Sequence, residues 1–552
     1  MIFTVDETVE AENRKNGIIL KMPDNNYKCD SQKPKGILAK THIYFKEYCN
    51  STTIHGFKYF TESRSLCERL LWLILVLFSL LACIYLIVQT YVQFQQSPVI
   101  VTFATADTPI YTIPFPAITI CPQSKARSNL FNFTDVRYKI MKNQTSQVSL
   151  KARRYAKYMH LVCRPGVNLF YDRSTLTEDM FEALDELKIP QSEFMQICNY
   201  MNRRFKCNSL FFPIILDEGI CYTFNILDRK DMFNENVVHF KNYHLLNKSI
   251  VGWDLDKGYQ AINELYFNYP VRALMSGAEN SMTIGLFQNS SNNDHFCNTD
   301  AQGFRVLLHA PYTLPRLRRQ FFNVGFERSV IATVRPRAMT TSGTVQQFDS
   351  SIRKCYFSTE KKLKFFKIYS PQNCKLECLT NYTRKACGCV EYFMPRENET
   401  LICGNIHRYC VRRAEYTLNQ KQLEHEVGYK ENNNSSCDCK PLCSDITYDT
   451  DVSSSFFDLK DKIQGHWNRR TNNQSHYAQL KIFFEHDSFL ASERNQMYGP
   501  IDFLANFGGL LGLFTGFSLL SAVELVYFLT VRMCCNFRLY RSWFGQEQDS
   551  VA

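Results

Sequence analysis

The residues most able to do chemistry lie near the C-terminal end, in Phe507-Gly508-Gly509-Leu510-Leu511-Gly512-Leu513-Phe514-Thr515-Gly516-Phe517-Ser518. Gly508, Gly512 and Gly516 recur every fourth residue, so on a helix they share one face. No side chain there keeps another helix, water or an ion at a distance. A span that only anchors a chain has little need of such a face, whereas one packed around a pore does. The rival reading is a small-residue helix contact without a pore. Coordination is the chemistry on offer, not catalysis. Gly516-Phe517-Ser518-Leu519-Leu520 lacks the closing glycine of a serine-hydrolase elbow and sits in an apolar span. No clustered nucleophile, acid pair or metal set appears elsewhere, which argues against an enzyme.

Two apolar segments must position these residues. Leu70 to Val88 is nineteen residues without a charge, about 28 Å as a helix and close to the hydrocarbon thickness. Phe503 to Val523 is also uncharged, bracketed by Asp502 and Glu524, and reads as one helix. Two spans put both tails on one side. Residues 1–69 hold eleven Lys and Arg, and Arg532, Arg538 and Arg541 follow the second span, so both tails are expected in the cytoplasm. No signal peptide precedes Leu70, making the first span an uncleaved anchor. The net charge of +11 reflects this topogenic excess and implies no nucleic-acid partner. Neither span carries the arginine ladder of a voltage sensor.

The long segment between the spans is then extracellular. Sixteen of the 22 cysteines lie in it, an even number that suits disulfides in an oxidising compartment. Zinc is the lesser reading of its Cys-x-Cys elements. Nine Asn-x-Ser/Thr sequons fall there: Asn132, Asn143, Asn247, Asn289, Asn381, Asn398, Asn433, Asn434 and Asn473. A tenth, Asn50, lies in the basic tail and should be silent. Cys67, Cys534 and Cys535 flank the spans as candidates for palmitoylation.

Local patterns predict a mixed α and β segment. Ile113 to Cys121 reads as a strand entered from a proline turn, and Phe304–His309 and Asn323–Val334 as further strands. Residues 176–198 read as an amphipathic helix through Phe181, Leu184 and Leu187. Cys374-x3-Cys378 places two thiols on one side of a helix that could be laced to Cys437 and Cys439 on a strand. The N-terminal tail is polar and irregular to about Thr53, and His55-Gly56 reads by composition as a helix-ending turn.

Taken in order, several motifs resemble the degenerin/epithelial sodium channel superfamily, which includes the acid-sensing and insect pickpocket channels. They are His55-Gly56, Phe115-Pro116-Ala117-Ile118-Thr119-Ile120-Cys121, the cysteines from Cys374 to Cys389, and Cys437-x-Cys439-x3-Cys443. Gly508-Gly509-x2-Gly512-Leu513-Phe514-x-Gly516-x-Ser518, running on to Glu524-Leu525, completes the set. The resemblance implies a membrane protein with two transmembrane helices and a large disulfide-rich α+β ectodomain of palm, β-ball, finger, thumb and knuckle, assembled as a trimer. Its divisions would be a cytoplasmic tail (1–69), first transmembrane helix (70–92), extracellular cysteine-rich domain (93–498), second transmembrane helix with pore and filter (499–531) and cytoplasmic tail (532–552).

It further implies the pairs Cys121–Cys221, Cys198–Cys207, Cys355–Cys443, Cys374–Cys439, Cys378–Cys437, Cys387–Cys410 and Cys389–Cys403. Cys163 and Cys297 are left, and are expected to pair with each other. By the same resemblance Gly516, Phe517 and Ser518 form the selectivity element, although relatives often carry a small or polar residue where Phe517 stands. Ala505 takes the position that tolerates only small side chains if the channel is to close. Asn506 replaces an aspartate of acid-sensing relatives, and Asp502 is one turn outward. Glu524, which would cost about 2.5–3.5 kcal/mol facing lipid at mid-bilayer, should face the inner vestibule or an interface, compensated by a cation or by a residue such as Arg69. His55 and Gly56 would shape the inner pore.

The function implied is a subunit of a voltage-independent, amiloride-sensitive, sodium-permeable channel, homo- or heterotrimeric with related subunits, at the plasma membrane. Permeant Na⁺ takes the place of a cofactor, and no metal is expected. The stimulus is open among ligand, osmotic, mechanical and acid; Ser350 to Lys354, before Cys355, lacks the tryptophan of acid-sensing relatives. Alternatives are a non-conducting or regulatory two-span receptor subunit that needs a partner, and an ATP-gated trimeric channel.

Overall fold

The computed structural model describes residues 37–62, 64–96, 99–164, 176–259, 268–297, 302–428, 437–457, 475–497 and 499–544. Two compact units result: residues 1–92 with 500–552, and residues 93–499.

The second unit is built on two packed sheets. In the larger, eight-stranded among the described residues, the Arg328–Thr341 strand pairs antiparallel with Asp445–Phe456 and parallel with Ser475–Phe484 and, at its end, with Ser492–Gln496. Val99–Phe103, Met282–Asn289, Met195–Tyr200 and Arg203–Phe205 complete it. The five-stranded sheet runs Phe322–Val324, Phe304–His309, Ala117–Pro122, Gly219–Phe224, Phe212–Leu216. Ile118, Ile120, Phe224 and Val306 on its inner face share one buried cluster with Ile284, Val330, Leu480 and Ile482 of the larger sheet. Ala117 and Cys121 point the other way, into a second core under the helices. The Ala117–Pro122 strand is therefore covered on both faces, which explains its continuous run of buried residues.

The Pro371–Cys387 helix is fixed by local chemistry at both ends. Ser370 caps it by accepting from the Asn373 N–H at 3.1 Å, Pro371 fills the first turn, and Gly388 closes it in the left-handed region at φ +72°. Its composition is too polar to hold it by burial alone. Three covalent rungs reinforce it, Cys374–Cys439, Cys378–Cys437 and Cys387–Cys410, with Cys389–Cys403 just beyond its end and Cys355–Cys443 at the base. With Cys121–Cys221, Cys163–Cys297 and Cys198–Cys207, all eight expected pairings are present.

Several local expectations are corrected. The segment 176–198 is not one helix: it runs Asp179–Leu187, is stopped before Pro190, and becomes a strand at Met195. Cys437 and Cys439 lie on a loop, since strand begins only at Asp445. The N-terminal tail holds a helix, Ile37–Ser51, because Tyr44 and Tyr48 dock edge-on against Phe528. That is a long-range contact which local patterning does not announce. The first span extends as a helix over Leu66–Gln96. The second is not continuous: Pro500–Thr515 and Leu519–Tyr527 are separate helices, followed by a π-helical turn at Phe528–Arg532 and the Met533–Tyr540 helix.

The two rungs at Cys374 and Cys378 are nested, closing sequence separations of 65 and 59 residues. Because Cys355–Cys443 already encloses both, the first closed is worth about 3 kcal/mol, and the second, which then closes only a very short ring, about 2 kcal/mol. Cys374→Ser/Cys439→Ser and Cys378→Ser/Cys437→Ser should each lower the thermal midpoint of the purified protein by a similar, moderate amount. Removing both rungs should lower it by more than the sum.

Candidate functional site: a broken second span held by an N-terminal turn

The first unit brings together the two ends of the chain. The Pro500–Thr515 helix stops because Gly516 takes φ +68°, a conformation that favours glycine, while its N–H still bonds the Gly512 carbonyl at 2.9 Å. Phe517 continues the non-helical break. Ser518 restarts the helix by a reciprocal capping box: its Oγ accepts from the Ser521 N–H at 3.2 Å, and its N–H donates to Ser521 Oγ at 3.1 Å. Gly516 therefore leaves the helical face expected of it, whereas Gly508 and Gly512 remain on the helix. Ser518, expected from the resemblance in the selectivity element, caps the following helix.

Groups orphaned by the break find partners from far along the chain. The Ser79 hydroxyl, from the first span, donates to the Phe514 carbonyl at 2.6 Å. The His55 backbone N–H donates to the Thr515 carbonyl at 3.0 Å. Among the described residues no donor reaches the Gly516 or Phe517 carbonyl. The break thus leaves two oxygens without a donor between the C-terminus of one helix and the N-terminus of the next.

The His55 ring packs directly against Gly516. A Cβ built on Gly516 would fall 2.7 Å from the ring's Cε1 and 2.8 Å from its Cγ. Gly56, at φ +92°, brings the chain so close to the first span that a Cβ there would meet Val76 Cγ2 at 2.5 Å. His55-Gly56 is indeed a turn beyond a helix end, and it is also the contact with the break.

Thr53 extends the tie. Its N–H and its hydroxyl each lie 3.1 Å from Glu524 Oε2, and its Oγ1 is 2.7 Å from Ser521 Oγ. The expectation that Arg69 compensates Glu524 is corrected: Arg69 donates to the Glu62 carbonyl at 2.8 Å, and Thr53 solvates the carboxylate instead. Ser521 is fully buried, at 0 % exposure. Thr53, Ser79 and Ser521 escape a sequence reading, because a single hydroxyl carries no pattern until its partner is known. Ser518-x-x-Ser521 was the one available hint, as a capping-box spacing.

The remaining candidates sit further along the Pro500–Thr515 helix. Asp502, Ala505, Asn506, Gly508, Gly509 and Gly512 are exposed within the single chain. Gly508 and Gly509 have open space where a Cβ would stand. The sequons Asn132, Asn143, Asn247, Asn289, Asn381 and Asn398 are exposed on the disulfide-rich unit. Asn433, Asn434 and Asn473 lie outside the described residues. Cys67, Cys534 and Cys535 are exposed free thiols. No group of three or more potential metal-ligating side chains occurs among the described residues.

Comparison with known proteins places the chain in a family. The sequence profile described as "Amiloride-sensitive sodium channel" matches residues 48–528, from the helix before the His-Gly turn to the π-helical turn. The chain is 27% identical over 519 residues to Pickpocket protein 28 of Drosophila melanogaster, covering 92% of this chain and 81% of that one. Pickpocket protein 11 of the same organism is 25% identical over 517 residues, covering 93% and 79%. Sodium channel protein Nach, also from Drosophila melanogaster, is 22% identical over 529 residues, covering 91% and 89%. The chain therefore belongs to the amiloride-sensitive sodium channel family.

Proposed function

We propose that the chain is a pore-forming subunit of a trimeric, voltage-independent, amiloride-sensitive sodium channel of the plasma membrane. Both tails are cytoplasmic and the disulfide-rich domain is extracellular, where it receives the stimulus. The observation that carries this reading is the break at Gly516-Phe517-Ser518. A channel selects Na⁺ by replacing part of its hydration shell with protein oxygens at a constriction. Three copies around an axis would supply the Gly516 and Phe517 carbonyls as rings. The C-terminal end of the Pro500–Thr515 helix adds negative dipole there, which favours a cation. Ser518 serves the site by fixing where the next helix begins.

The open face at Asp502, Ala505, Gly508, Gly509 and Gly512 fits a helix that meets its counterparts in the assembly above this site. Ala505 lies where close packing of three helices would form a gate, and Asp502 and Asn506 where the outer mouth would be. Glu524, solvated by Thr53, sits just inside the break.

Two measurements in oocytes test the proposal. Ala505→Val, by adding bulk at the gate, should give a constitutive inward sodium current that amiloride blocks and that vanishes in an impermeant cation. A silent Ala505→Val at normal surface density would contradict a self-sufficient pore. Adding Gly516→Ala to that background should cut the current at least about tenfold without loss of surface protein. Alanine disfavours φ +68° by roughly 1–2 kcal/mol, and its Cβ would collide with the His55 ring. Unchanged current would remove the break from the conduction path.

A further inference from the structure

The helix Arg408–Glu426 is apolar on two opposite sides. Its inner side carries Val411, Ala414 and Leu418, all buried. It packs beside the Pro371–Cys387 helix, to which the Cys387–Cys410 rung ties it. On the other side Tyr409, Tyr416 and Leu423 recur every seventh residue, and Val427 follows one turn later. Seven residues are close to two turns, so the four form one row about 27 Å long. All four are between 61 and 74 % exposed. Apolar residues scattered singly over a surface are ordinary, but a heptad-spaced row opposite the buried face marks a helix with a second packing partner. Within the single chain the described residues leave this row open.

A groove of about 510 Å³ lies elsewhere on the same unit. Ile197 and Phe287 form its apolar floor, with Met195 beside them. Along their strands these two alternate with Cys198 and Leu286 of the core, so they stand on the outer face of the larger sheet. Phe287 meets Tyr477 edge-on, at 5.1 Å between ring centroids. Polar residues complete the lining, among them the exposed cations Arg204 and Lys206. The floor suits the apolar face of a helix laid across it. Charge selects which part of the row enters. Arg412 and Arg413 flank its N-terminal half, whereas Glu424 and Glu426 and the negative end of the helix dipole accompany its C-terminal half.

We infer that Tyr416, Leu423 and Val427 of one copy of the chain dock in the groove of a second copy, with Glu424 and Glu426 facing Arg204 and Lys206. Row and groove are different surfaces of one unit, so the contact is head-to-tail, and such a contact repeated around an axis closes a ring. That the ring holds three copies rests on the channel reading above; the helix-in-groove contact does not. It sets the disulfide-braced helices of one subunit against the Met195–Tyr200 and Met282–Asn289 strands of the next.

Thiol cross-linking between chains tests the contact. The background is the full-length protein with Cys67, Cys534 and Cys535, the exposed free thiols among the described residues, changed to serine. Two differently tagged chains are co-expressed, one with Leu423→Cys and one with Gln196→Cys, and treated at the cell surface with a short bismaleimide. A dimer carrying both tags is expected, and likewise from Tyr416→Cys with Ser192→Cys, while each variant expressed alone should stay uncross-linked. Arg204→Glu with Lys206→Glu should cut the mixed dimer about fivefold, and Glu424→Lys with Glu426→Lys in the other chain should restore it. Absence of a mixed dimer from both pairs of surface-expressed chains would overturn the inference, as would a yield indifferent to charge reversal. A dimer from Leu423→Cys alone would also overturn it, since the helix would then pack on its own counterpart. The readout is covalent and needs no current, so failure of this contact and failure of the channel reading are told apart.

Discussion

A helix that stops inside an apolar span leaves backbone groups with no water to bond them, at several kcal/mol for each one unsatisfied. The break at Gly516-Phe517-Ser518 is tolerable only because other parts of the chain serve it. Ser79 takes the Phe514 carbonyl, His55 takes the Thr515 carbonyl, and the Ser518/Ser521 box starts the next helix. What remains uncovered is a pair of adjacent carbonyls. Irregular backbone at membrane depth is expected only where it lines a cavity or is buried in protein.

The need to serve the break explains why the N-terminal segment is ordered. The turn at His55-Gly56 must reach Thr515, so the helix before it needs an anchor. Tyr44 supplies one by donating its hydroxyl to the Phe528 carbonyl at 2.6 Å, and Arg532 pairs with Glu47 at 2.6 Å. Phe528 to Arg532 is the π-helical turn, where the backbone register slips and a carbonyl becomes available for an outside donor. The C-terminal part of the second span is therefore clamped at two places, at the break and one helix further on. Thr53 lies between them and joins Ser521 to Glu524.

How much of this the sequence revealed depended on the range of the interaction. The Ala117–Pro122 and Phe304–His309 strands were legible because their β-branched and apolar runs are local. Seven disulfides were legible because the cysteine spacing resembles a known framework, not because spacing alone selects a pairing; the eighth, Cys163–Cys297, followed because those two cysteines were left over. The glycine face pointed to the segment that holds the break but implied one continuous helix. A four-residue repeat cannot say that Gly516 adopts a left-handed conformation. The N-terminal helix and the Thr53–Glu524 contact were illegible for a common reason: Tyr44, Tyr48 and Thr53 are stabilised by residues more than 400 positions away. Arg69, the obvious charge partner for Glu524, was preferred because charge can be read from sequence while a hydroxyl's orientation cannot.

On the channel reading proposed above, the N-terminal turn and the broken span form one unit that sets ion selectivity. The most direct measurement is the Na⁺ to K⁺ permeability ratio, from reversal potentials, of Thr53→Val, Glu524→Gln and the two combined. If Thr53 acts through Glu524 and Ser521 on the break, each substitution alone should lower the ratio, and the pair should be no worse than the more severe single change. Additive losses, or a ratio unmoved by Thr53→Val, would mean that the turn packs beside the pore without shaping it.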